Sequence, residues 1–193
     1  MNKPILIFDR MIENLNCTTL ESDNTNAVFN AANQLLNKGK SKIGIVSCNS
    51  NLSTGKDRIR GYIKAIQQKN IDFNSDMILE CNVIDLNSKV QMFLSNKEID
   101  AIICTDEDST YEVIKTLKIL GKKIPEDVSI IAYIDEKVAQ NLEPEITTID
   151  PEPITTSSRL LGILKRFQLL GLNHWLDWLP VHIKVLGQEM LDS

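Results

Sequence analysis

Hydrophobic and polar positions alternate along this chain in two distinct rhythms. Four apolar residues run unbroken from Ile5 to Phe8 and end at the acid–base pair Asp9–Arg10. A short apolar run stopped by charge predicts a strand buried on both faces, the pattern of a parallel sheet. Similar runs recur as "KIGIV" (42–46), "DMILECNV" (76–83), "DAIICT" (100–105), "DVSIIAYI" (127–134) and a short "EITTID" (145–150). Between them the period lengthens to that of a helix. Residues 25–38 place Ala27, Ala31, Leu35 and either Ala32 or Leu36 on one stripe, with Asp23 or Asn24 as N-cap and Gly39 as the stop. Residues 56–69 place Ile59, Tyr62, Ile63 and Ile66 on one face, and 86–96 turn Val90, Phe93 and Leu94 inward. Residues 106–120 form a further helix, ended by Gly121 and barred from continuing by Pro125. Residues 153–170 read as helix, 172–178 as a loop and 179–187 as a last alternating strand.

Strands alternating with helices across short links predict an α/β fold with a doubly wound parallel sheet covered by helices on both faces. Such sheets bind ligands in the crevice at the carboxyl ends of their strands. The polar residues that end each strand are therefore the candidates: Asp9 and Arg10, Ser47 onward, Thr105 and Asp106, and Tyr133 to Asp135.

Composition narrows the function. The 193 residues are 42% hydrophobic and 24% charged, with a net charge of −5. That balance suits a soluble globular protein and is wrong for gripping a phosphate backbone, which needs clustered Lys and Arg. No apolar stretch approaches the ~20 residues that cross a bilayer, and the N-terminus does not read as a signal peptide. The four cysteines, at 17, 48, 81 and 104, form no CxxC pair; buried reduced thiols fit a reducing cytoplasm.

Candidate chemistry is sparse. "GKS" at 39–41 follows a helix and lacks the upstream glycine of a phosphate-binding loop. His174 and His182 have no partners at zinc-ligand spacing and no G-x-S-x-G nearby. The acidic run Asp106–Asp108 follows a strand, so helix capping is its first explanation, ahead of a metal or phosphoacceptor role. No catalytic, metal or cofactor site is expected. Arg58 stands out instead. It lies near the start of a helix that follows a parallel strand, where a guanidinium fork suits a hydroxyl-rich or anionic small molecule. Asp9 could accept sugar hydroxyls, and Arg10 donate to others. Taken one at a time, each of the three reads first as a surface ion pair worth under ~1 kcal/mol.

Taken together, "PILIFDR", "SDNTNAVFNAANQLLNKGKSKIGIV", "STGKDRIRGYIKAI", "AIICTDED", "GKKIPEDVSIIAYID" and "ITTID", in that order, resemble the effector-binding region of the lactose/galactose-repressor family. These are bacterial sugar-responsive transcription regulators, akin to periplasmic sugar-binding proteins. The resemblance covers nearly the whole chain. It implies that a helix-turn-helix and most of an N-terminal subdomain would precede "PILIFDR", so that this chain begins inside the family's architecture. The implied division is 1–19 as the end of the N-terminal subdomain, 20–150 as the C-terminal effector-binding subdomain, 151–172 as a helix returning to the N-terminal subdomain and 173–193 as a final strand.

The resemblance places Asp9, Arg10, Arg58, Thr105, Ile134 and Asp135 at ligand-contacting positions, with the Asp–Arg pair most like ribose-type members. Two positions depart from the family. Thr105 stands where an Asn amide is usual, and Ile134 where a carboxylate is usual; each lost hydrogen bond costs ~1–3 kcal/mol. The implied partners are a small-molecule effector (a sugar or sugar phosphate), a second copy of the chain through Thr110, Ile114 and Leu142, and operator DNA only through an absent N-terminal domain. The implied location is the cytoplasm, with no membrane partner. The competing expectations are a transporter's solute-binding protein and a doubly wound enzyme with Asp106 as phosphoacceptor.

Overall fold

The structure, a computed structural model, describes residues 6–8, 18–20, 22–48, 50–69, 71–144 and 146–149. Two short strands, β1 (Leu6–Phe8) and β2 (Thr18–Leu20), pair in parallel. The main sheet follows with its helices. Its elements are α1 (Asn24–Asn37), β3 (Ile43–Ser47), α2 (Ser53–Gln68), β4 (Ile78–Glu80), α3 (Leu86–Ser95), β5 (Ala101–Cys104), α4 (Glu107–Ile119), β6 (Ser129–Ala132), α5 (Glu136–Ala139) and β7 (Thr147–Thr148). The five strands are all parallel, in the order β4-β3-β5-β6-β7. The doubly wound α/β fold is therefore present. Numbered along the sheet it is 2-1-3-4-5, which reverses direction between β3 and β5. The expected elements at 153–170 and 179–187 lie outside the described residues, as do Cys17, His174 and His182.

Two apolar layers flank the sheet. On one side Val28, Ala31, Ala32 and Leu35 of α1 and Ile59, Tyr62, Ala65 and Ile66 of α2 pack with Ile43, Ile45, Ile103 and Ile131. On the other, Val90, Phe93 and Leu94 of α3 and Val113, Ile114 and Leu117 of α4 pack with Val46, Ile102, Ile130 and Ala132. Successive strand residues point to opposite faces, so the unbroken apolar runs serve both layers. Burial of each large aliphatic side chain contributes ~1.5–3 kcal/mol.

The helix boundaries follow local chemistry. Asp23 is the N-cap of α1, accepting from Asn26 N at 3.1 Å, which releases Asn24 for another role. Gly39 (φ +82°) ends that helix, and Gly121 (φ +67°) ends α4, each in the left-handed conformation that side chains resist. Helix α2 begins at Ser53, three residues before the first expected position, and has no side-chain cap. The expected strand at 76–83 shortens to β4, with a 3₁₀ turn on each side. It is an edge strand whose residues are only partly buried or exposed, so its apolar run overstated its length. Among the described residues, no helix is long and apolar enough to cross a membrane.

Tyr62 joins α2 to the sheet. Its hydroxyl donates to Ile43 O at 2.8 Å, and burial pushes its pKa from 10.0 up to about 12. The folded state holds this proton more tightly than the unfolded chain. The resulting stabilisation is complete below pH 10 and is lost as pH rises toward 12. The melting temperature is expected to fall across that window, and Tyr62→Phe to flatten the fall. An alkaline melting series on both proteins checks it; identical slopes would remove Tyr62 as the cause.

Candidate functional site

The carboxyl ends of β3, β5 and β6 meet where the sheet reverses direction, the place at which doubly wound sheets take up ligands. Arg58, one turn into α2, reaches this edge. Its Nε donates to Asn24 Oδ1 at 2.9 Å, and one terminal nitrogen donates to Thr105 O at 2.5 Å. Its guanidinium carbon lies 3.5 Å from the centroid of the Tyr133 ring. Three elements thus hold the fork: the start of α1, the end of β5 and the end of β6. Cation–π stacking alone is worth ~0.5–2 kcal/mol. A cation aimed and planar in this way is preorganised for an anionic or hydroxyl-bearing molecule.

Asn24 was legible only as an alternative cap. It is 3% exposed, and its side-chain nitrogen donates to Ser22 O while its oxygen holds Arg58. With Asp23 already capping the helix, a second cap-type residue was the available signal. Tyr133 is the next-to-last residue of an expected strand, and nothing local marks it as the stacking partner.

Asp106 forms the floor of this edge. One carboxylate oxygen accepts from Ser109 N at 2.9 Å, and Ser109 Oγ closes the capping box on α4. The other accepts from Cys48 N at 2.8 Å and from the Thr105 hydroxyl at 3.1 Å. Capping thus accounts for the acidic run, and the same carboxylate ties β3 to β5. Among the described residues, no cluster of three His, Cys, Asp or Glu side chains is placed to hold a metal. Ser47 Oγ, at the end of β3, is buried without a hydrogen-bond partner among them.

The remaining expected site residues divide. Thr105 is at the edge, but its hydroxyl is turned to Asp106, and it serves Arg58 through its carbonyl. Ile134, expected at a ligand-contacting position, lies in the other apolar layer. It is 5% exposed and packs with Ile130, Ala132 and Ile146 in the α3–α4 layer, on the face opposite Tyr133. The two-residue period of the strand puts Tyr133 toward Arg58 and Ile134 away from it. Asp135 is exposed and caps α5, accepting from Lys137 N at 2.7 Å. Asp9 and Arg10 lie outside the described residues.

Of the expected dimer contacts, Ile114 and Leu142 line one surface groove with Tyr111 and Ile119. Thr110 does not reach it: it is 1% exposed, and its hydroxyl donates to Asp106 O. An i+4 hydroxyl beside a capping Asp is drawn back onto its own helix.

Residues 32–167 match the family described as periplasmic binding protein-like domain. The ribose operon repressor of Bacillus subtilis is 26% identical over 171 residues, covering 86% of this chain and 52% of the repressor. The chain spans about half the length of the curated relatives it matches. The Escherichia coli transcriptional repressor ascG superposes with a TM-score of 0.73 at 24% identity, covering 89% of this chain and 63% of that one. A transcriptional regulator CelR–cellobiose complex gives a TM-score of 0.74 at 19% identity, covering 86% and 52%.

Proposed function

Because this chain belongs to the periplasmic binding protein-like domain family, we propose that it is the effector-binding and dimerisation region of a lactose-repressor-type transcription regulator of the cytoplasm. The effector is a small hydroxyl-rich or anionic molecule, a sugar or sugar phosphate. The observation that carries this reading is the Arg58 fork, held by Asn24, Thr105 and Tyr133 where the parallel sheet reverses direction. Curated relatives of this chain are named as repressors or transcriptional regulators, which favours a regulator over a transporter's solute-binding protein. Asp9 and Arg10 join the same pocket on the family resemblance, and Asp135 stands at its β6 side. Ligand binding then closes one subdomain on the other about a hinge, as in periplasmic binding proteins. Operator recognition falls to a helix-turn-helix outside this region, in keeping with a net charge of −5.

Calorimetric titration with pentoses, hexoses and their phosphates tests the site. Arg58→Ala is expected to weaken the effector by at least about tenfold, the cost of a lost charge-assisted hydrogen bond. Arg58→Lys keeps the charge but not the fork, and is expected to recover only part of the affinity. An affinity untouched by Arg58→Ala removes Arg58 from the pocket.

The groove between α4 and the segment after α5 is the proposed self-association surface. Tyr111, Ile119 and Leu120 are exposed apolar residues of α4 and its end, and a closed two-fold pairing is the commonest way to cover such a face. Ile119, 65% exposed, is the residue to change, since the buried Ile114 belongs to the core. Ile119→Glu is expected to halve the mass measured by light scattering and to remove any dependence of the melting temperature on protein concentration. A wild-type chain that is monomeric at tens of micromolar would refute the dimer.

A further inference from the structure

Cys48 and Cys81 are 33 positions apart in sequence, yet the sheet makes them neighbours. Strands β3 and β4 pair in parallel with Ser47 opposite Glu80. The pairing runs one step further, with Cys81 N donating to Ser47 O at 3.1 Å. The next residues in register are the two cysteines. Adjacent strands lie ~4.8 Å apart, inside the ~4.4–6.8 Å between Cα atoms that a disulfide spans. Each thiol influences the other's ionisation, as side chains at adjacent positions of paired strands do. Both are free in this structure.

The pair is not equivalent. The Asp106 carboxylate that binds Cys48 N also opposes a negative charge on Cys48, and burial opposes it more strongly still. Burial raises the Cys81 thiol too, with Asp106 and Asp85 adding to it, but Cys48 and Lys89 offset part of the rise, whereas nothing offsets it at Cys48. The two residues are 8% and 7% exposed, and β4 is the outermost strand of its sheet. Cys81, next after the edge strand β4, is the nearer of the two to the rim of the sheet.

We propose that Cys48 and Cys81 are a modification site at which a hydroperoxide forms a disulfide across the carboxyl end of the β3–β4 edge. The Cys81 thiolate attacks one peroxide oxygen, the O–O bond breaks, and Cys81 becomes a sulfenic acid as the leaving oxygen takes up a proton to form water (with hydrogen peroxide). Cys48 sulfur then attacks Cys81 sulfur. The S–O bond breaks, and the departing oxygen takes the Cys48 proton and leaves as a second water. Two thiols are oxidised by two electrons, and one peroxide is reduced. A thiol reductant reverses the bond by exchange. Once formed, the link pins the end of β3 to β4, one residue from the Ser47 hydroxyl and on the residue whose N–H Asp106 holds.

The test is a peptide map of the native chain treated with hydrogen peroxide and then alkylated. Trypsin separates the two cysteines into peptides 43–56 and 70–89, with Cys104 in a third. The expected product is peptide 43–56 joined to 70–89, lighter by two hydrogens and released by dithiothreitol. In Cys48→Ser the disulfide cannot form, and dimedone is expected to trap the sulfenic acid on Cys81. Full alkylation of Cys48 and Cys81 after peroxide, or a bond from either of them to Cys17, Cys104 or a second chain, overturns the proposal. A Cys48→Ser protein in which dimedone marks no sulfur at Cys81 does so as well.

Discussion

Asp106→Ala is expected to lower the unfolding free energy by about 2–4 kcal/mol, adding the loss of an N-cap to a stranded buried N–H. The carboxylate makes three hydrogen bonds with both oxygens engaged, to Ser109 N on one side and to Cys48 N and the Thr105 hydroxyl on the other. Alanine releases the first turn of α4 and also leaves the Cys48 N–H buried without an acceptor. Asp106→Asn separates the two contributions. Its single side-chain oxygen can serve one side, while its NH₂ faces a donor on the other, so roughly half of the loss is expected. Urea denaturation of the three proteins measures this. A loss below ~0.5 kcal/mol for the alanine variant would mean that Asp106 is only an exposed-type cap.

The second large effect is expected at Gly61. A Cβ built there would lie 2.2 Å from Thr25 O and 3.0 Å from Phe29 N, both backbone atoms of α1. Neither can rotate away, so α1 and α2 must separate. In an open helix, glycine-to-alanine would gain ~1 kcal/mol from propensity. Here overpacking reverses the sign, and Gly61→Ala is expected to cost about 1–3 kcal/mol. That corresponds to a fall in melting temperature of about 2–4 °C per kcal/mol. The change also reaches the site. Arg58 lies one turn earlier on the same helix and bonds Asn24 on α1, so effector affinity should fall with stability. A Gly61→Ala protein as stable as the wild type would show that the two helices do not approach this closely.

The Arg-x-x-Gly-Tyr stretch at 58–62 shows how much of this was local. Its spacing placed Tyr62 on the buried stripe and Arg58 near the helix start, and the structure keeps both. The reason for the glycine is not local, because it is a main-chain oxygen of another helix. The same holds for Thr105. Its side chain drew attention, but the atom that binds Arg58 is its carbonyl oxygen, and every residue has one.

The chain's own pattern determined the elements, their alternation, the glycine stops of α1 and α4 and the parallel doubly wound class. Each depends on neighbours within a few positions: period 2 or 3.6, a cap, a backbone needing positive φ. Tertiary structure decided the strand order, the parity that turns Tyr133 toward Arg58 and Ile134 away, the shared carboxylate of Asp106 and the meeting of Cys48 with Cys81. Those outcomes depend on which strands pair and in what register. A shift of one residue would reverse every side chain on a strand, and the register is chosen by the burial of whole faces at once. No short stretch of the chain carries that information alone.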